Sequence, residues 1–148
     1  MADGAAPGAL LVKSTLAATG GLVATSLAAG AAPDRFGAVH AAFSGVLFVV
    51  GTGALLWAYA LGVSRSRTEL INVPGLFLLA RPTAPDAIRR AFHWALAVEV
   101  LAVVVAASIR PFTEVAFGIL APTFGLGMMA LWGGRYGEFP DRPPRSAP

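Results

Sequence analysis

The chain has no cysteine, two histidines and few charges. Without cysteine there is no disulfide framework, no thiolate metal site and no thiol nucleophile to consider. The histidines, His40 and His93, sit near the starts of different apolar runs and fall at opposite predicted membrane surfaces, which excludes a two-histidine site. Ser14, Ser26, Ser44 and Ser108 have no histidine base at hand for a hydrolase triad. The glycines do not match a phosphate-binding loop. Met128 and Met129, with no Cys or His beside them, read as packing residues and not as copper ligands. The expectation is a non-enzymatic chain without a cofactor. Charged residues make up 13% of 148 residues, against roughly 25% in a soluble domain. The net charge is only +3, carried by arginines in short segments flanking apolar runs. That is the charge bias of membrane topology, and it does not suggest a nucleic-acid groove.

What the chain has is hydrophobic length, 56% of its residues. Its apolar runs predict an all-α, polytopic membrane protein with four transmembrane helices over about 9–32, 36–63, 91–109 and 113–132. Residues 1–132 are read as a single four-helix bundle and 133–148, rich in Gly, Pro and Arg, as a disordered cytoplasmic tail. The first run is Ala- and Gly-rich, with small residues every fourth position at Ala17, Gly21, Thr25 and Ala29, the spacing of closely packed membrane helices. A cleaved signal peptide is the alternative, with Ala28 to Ala32 offering small residues at a cleavage site. Pro33-Asp34-Arg35 reads as a tight turn, and His40, about one turn into the second span, as an interfacial histidine wet from outside. Ile71 to Ala80 is too short to cross and is expected along the membrane interface, followed by an imperfect capping box with Thr83 as N-cap. Pro122, in the middle of the fourth run, should bend it and free the Gly118 carbonyl.

Basic residues set the orientation. The connection after the second span holds Arg65, Arg67, Arg81, Arg89 and Arg90, and the tail holds Arg135, Arg142 and Arg145. The two opposite turns hold one each, Arg35 and Arg110. Both termini are therefore expected to be cytoplasmic, in a multi-pass protein of the inner (plasma) membrane. Trp57, Tyr59, Trp94, Trp132 and Tyr136 all fall at the arginine-loop surface, as an aromatic belt would.

One carboxylate stands inside a span. In Ala91 to Ile109, nine Leu, Ile, Val and Phe residues contribute about −3 to −5 kcal/mol to insertion and a central charge costs about +2.5 to +3.5. Glu99 shares its face with Ala95, Ala102 and Ala106, so it should point at a neighbouring helix and not at lipid. Counted from the arginine-loop ends, Glu99 lies about 12 Å deep and Thr19, Thr52 and Thr123 about 15 Å, which suggests one intramembrane polar layer. Lys13, at about 6 Å, is better placed to snorkel outward than to pair with Glu99. Intramembrane carboxylates mark ion or proton pathways, or serve as protonated structural groups, or pair with a partner's cation.

The segments Trp57 to Glu69 and Phe117 to Gly127, continued by Leu131-Trp132-Gly133, resemble small actinobacterial four-helix membrane proteins. The resemblance spans the last three helices and implies their fold. It assigns no activity to any residue, and the first helix lies outside it. The expected function is assembly or stabilisation of a larger membrane complex, in contact with the lipid bilayer and with other membrane proteins or further copies of the chain. The alternative is a small proton-coupled transporter using Glu99.

Orientation is directly testable in a chain without cysteine. Single cysteines at Ala32 and Phe112 should react with an impermeant thiol reagent in intact cells, and cysteines at Ser66 and Ser146 should not. A mature chain beginning near Pro33 would instead identify the first run as a signal peptide.

Overall fold

A computed structural model describes residues 7–143. Helix α1 is Ala9–Ala31, α2 is Pro33–Arg65, the short α3 is Val73–Leu78, and α4 is Asp86–Ile109. A 3-10 helix, Glu114–Leu120, leads into α5, Thr123–Tyr136. The protein is thus all-α, with four stretches of 23, 33, 24 and 23 residues long and apolar enough to cross a membrane. Outward-facing Leu27, Val49, Leu56, Leu101 and Ile109 are well exposed, which suits hydrocarbon surroundings.

The turns depart from expectation at their prolines. Pro33 does not make a tight turn after α1. It occupies the first turn of α2, where a missing N–H costs nothing, and Ala32 is the only break. Asp34 in that first turn suits the positive end of the helix. Thr83 is not an N-cap, because Pro85 keeps the residue before it out of helical geometry and α4 begins only at Asp86. Asp86 there pairs with Arg81 at 3.1 Å and Arg89 at 2.7 Å. Pro122 does more than bend the fourth span. The chain before it tightens into the 3-10 form, and the Ala121 N–H donates to the Gly118 carbonyl at 2.9 Å, so that carbonyl is not left free.

Packing is closest between α2 and α5. Gly51 lies against the backbone of Thr123 and Phe124, and Gly127 against the Gly51 carbonyl, so a methyl group at either would overlap main chain. Small residues permit this approach in membranes, where hydrocarbon gives helices little hydrophobic reason to associate. The main apolar cluster includes Leu22, Leu47, Leu79, Phe92, Phe124, Met128, Met129 and Trp132. A second, smaller cluster of Ala29, Ala106 and Val115 lies toward the turns that hold Arg35 and Arg110.

The arginine-loop end is more ordered than its composition suggests. The segment around α3 does not simply lie along the interface, since Leu76 and Leu79 are buried, Leu76 against Gly62 and Gly133. Trp132 is also inside, at 2% exposure, with its indole N–H donating to the Pro7 carbonyl at 3.2 Å. Only Trp57, Tyr59 and Trp94 of the expected belt are well exposed. The tail differs too: α5 continues to Tyr136 and the chain then runs back along the loop. The Leu70 N–H donates to the Pro140 carbonyl and the Arg142 N–H to the Thr68 carbonyl, both at 2.8 Å. Arg65 ties this together by donating to the Gly134 and Gly137 carbonyls at 3.1 and 2.8 Å, pairing with Glu69 at 2.8 Å and covering the Phe139 ring. The rest of the expected disordered tail, 144–148, lies outside the described residues.

The α2–α5 contact predicts a contrast between neighbouring glycines. Gly51→Val should destabilise the detergent-solubilised protein by about 1–3 kcal/mol, the usual cost of overpacking. Gly53→Val, which faces open space, should leave the thermal midpoint unchanged.

Candidate functional site

Among the described residues two ionisable side chains are buried inside the bundle, and each meets the broken fourth span at a glycine. Helix α4 buries Phe92, Ala95, Glu99, Val103 and Ala106, a spacing of three and four residues that makes one inward face. Glu99 on that face is 0% exposed. Its Oε1 lies 2.8 Å from the Thr19 hydroxyl of α1. The same hydroxyl lies 2.9 Å from the Thr15 carbonyl. A hydroxyl has one proton, so it cannot donate fully to both acceptors, and a Glu99 carrying its own proton completes the pair. Oε2 packs on Gly125, in the first turn of α5, within reach of its backbone N–H. The first turn of a helix presents N–H groups without helical acceptors and a partial positive charge. A side chain at 125 would displace the carboxyl group from this position.

Helix α2 presents Gly37, His40, Ser44, Leu47 and Gly51 on its buried face. His40 is 0% exposed. The expected wet, interfacial position is therefore corrected: α2 starts at Pro33, which places His40 about 10 Å inside, and the 3-10 helix covers the ring at Gly118. Nδ1 lies 3.2 Å from the Thr25 hydroxyl, which itself donates to the Leu22 carbonyl at 3.1 Å. The roles of the two ring nitrogens follow the tautomer, and the ring also lies against the backbone of Val115 in the 3-10 helix. One turn further along α2, the fully buried Ser44 hydroxyl has no hydrogen-bond partner among the described residues, nor does Ser26 on α1. Helical hydroxyls commonly donate back to the carbonyl one turn earlier, as Thr15 and Ser108 do here.

Of the layer expected from the sequence, Glu99 and Thr19 come together. Thr52 and Thr123 are half-buried, and neither hydrogen-bonds to Glu99. Depth alone put them level, but the rotation of each helix decides which side chains meet. The residues missed were His40 and Ser44, and their spacing with Gly37, Leu47 and Gly51 was the available signal. Among the described residues no cation lies within salt-bridge distance of Glu99, Lys13 is exposed, and no cluster of three metal-binding side chains occurs. His93 is exposed near the arginine-loop end, its Nδ1 2.7 Å from the Arg89 carbonyl. An apolar groove of about 490 Å³ runs along the outer seam of α1 and α4 out to Ala31 and Ile109, and Glu99 is not part of its lining.

No family model matches the chain, and neither a curated protein nor a solved structure shows significant similarity to it.

The site predicts an unequal response from its three threonines. Thr19→Val should lower stability in the membrane by about 0.6 kcal/mol and at most about 1.7, the range for membrane-helix hydrogen bonds. Thr52→Val and Thr123→Val should be silent in the same unfolding assay.

Proposed function

We propose that the chain is a small proton-coupled transporter in which Glu99 takes up and releases a proton inside the bundle. The observation that carries this reading is the complete burial of Glu99 within its own chain, held between the Thr19 hydroxyl and the Gly125 backbone with no cation within salt-bridge distance among the described residues. A partner protein's lysine or arginine would have to part α1 from α4 to reach the carboxyl group, which weighs against pairing across an assembly. Intramembrane carboxyl groups that face a bundle interior typically serve ion or proton movement. In this reading the protein is a multi-pass component of an actinobacterial plasma membrane with both termini in the cytoplasm.

Assembly of a larger membrane complex is the second reading, and a different observation favours it. Gly45 and Gly53 on α2 have no atom nearby to meet an added side chain. Glycines on an outward surface suit close approach by a further helix, from another membrane protein or a second copy.

Proteoliposomes under an imposed pH gradient separate the two. The purified wild type should carry protons above protein-free liposomes, and Glu99→Gln, which keeps the size and hydrogen bonding of the side chain, should fall to the protein-free level. Equal flux from wild type and Gln would reject Glu99 as the carrier. Absence of flux from both, together with a stoichiometric partner co-purifying in mild detergent, would establish the assembly reading in its place.

A further inference from the structure

Charge at the start of α4 is not balanced. Asp86 already serves two arginines, Arg81 at 3.1 Å and Arg89 at 2.7 Å. A third is left over. Arg90 is exposed and donates from Nε to the Asp86 carbonyl at 3.3 Å, and its guanidinium has no carboxylate within salt-bridge distance among the described residues. One turn along the helix, the exposed His93 has its Nδ1 2.7 Å from the Arg89 carbonyl. A carbonyl only accepts, so Nδ1 carries a hydrogen and Nε2 is the nitrogen open to an outside partner. Trp94 beside it is 70% exposed, with an indole N–H that can only donate.

Arg90, His93 and Trp94 line one hollow of about 280 Å³, together with Ala97. A second, of about 500 Å³, runs on from His93 and Ala97 past Val100 to Val104, with Leu96 and Leu101 at its sides. Because the two share His93 and Ala97, they form one groove along the outer face of α4, cationic and aromatic at the arginine-loop end and apolar beyond. Its depth comes from sequence: Ala97 stands one turn from Trp94 and one turn from Leu101, a small side chain between two large ones on the same helix face. His93 to Val104 spans about 16 Å at about 1.5 Å per residue. That is about half of a hydrocarbon core of about 30 Å, the thickness of one leaflet. Arg90 lies about 4 to 5 Å further out, at headgroup level.

We infer that this face of α4 binds one anionic phospholipid of the arginine-loop leaflet. Its phosphate meets Arg90 and His93, its glycerol esters lie by the Trp94 indole, and one acyl chain fills the groove toward Val104. The unbalanced guanidinium decides the occupant, because a phosphate supplies the charge-assisted hydrogen bonds that Asp86 cannot. A zwitterionic lipid would bring a second cation to the same place. Membrane orientation accounts for an arginine at this end. It does not account for a groove one leaflet long beneath that arginine. The inference is independent of Glu99, which lies on the buried face of α4.

Native mass spectrometry of the detergent-solubilised protein tests the site. The wild type, titrated with phosphatidylglycerol, should retain one lipid at concentrations where phosphatidylcholine of the same acyl chains is lost. Arg90→Ala should weaken retention about tenfold, the size of one hydrogen bond to a charged group. Arg67→Ala removes the same charge from an exposed position at the same end but outside the groove, and should leave retention unchanged. Ala97→Phe keeps every charge and fills the groove, and should weaken retention at least as much as Arg90→Ala. Arg67, Arg90 and Ala97 are all exposed, so these changes spare the core. Equal retention of the two lipids, or equal weakening by Arg67→Ala and Arg90→Ala, would reveal a diffuse positive surface and overturn the inference. It would also be overturned by full retention in Ala97→Phe, or by an acidic protein that co-purifies with the wild type in place of lipid and is lost from Arg90→Ala.

Discussion

Hydrocarbon offers no hydrogen bonds, so every polar group placed inside this bundle must find its partner in the chain or stand at a cost. Most of the architecture follows from where that demand is met and where it is not. Backbone groups are satisfied within the helices, and at the one place where Pro122 interrupts them the chain changes to 3-10 geometry and re-pairs the Gly118 carbonyl. Thr15, Thr25 and Ser108 turn their hydroxyls back on their own helices. Against this background the hydroxyls of Ser26 and Ser44, the His40 ring and the Glu99 carboxyl group stand out as polar groups kept fully inside the bundle. Replacing them with apolar residues would be the cheaper solution for a bundle that only had to be stable.

Close approach is the means by which the fourth span reaches those groups. Gly118 meets the imidazole, Gly125 meets the carboxyl group, and Gly51 and Gly127 bring α2 and α5 into backbone contact. A glycine-rich span gives up side-chain packing energy, and the bulky residues of the arginine-loop half compensate, with Met128, Met129 and Trp132 on α5 fitting against Phe92 and Leu79.

Much of this was legible from the residues in order. The four apolar runs, the lone carboxyl group on a small-residue face and the Glu99–Thr19 proximity follow from length, periodicity and depth counting. Depth counting failed for Thr52 and Thr123 because it carries no rotational information. His40 was misplaced because a proline at the start of an apolar run was read as a turn when it was the first residue of a helix, and because a histidine on one helix says nothing about the second element that covers it. The loop and tail were misread for a different reason. Their order comes from Arg65, whose guanidinium collects carbonyls distant in sequence, and composition alone cannot register a single side chain that gathers a segment around itself.

The 3-10 half of the fourth span also stores length. Its seven residues extend about 14 Å at 2.0 Å per residue, whereas the same residues in α form would extend about 10 Å. Interconversion of the two forms would draw Gly118 about 4 Å along α2 and turn it away from the imidazole, while α5, anchored by its glycines to α2, stayed in place. The 3-10 geometry is thus what sets Gly118 over the imidazole.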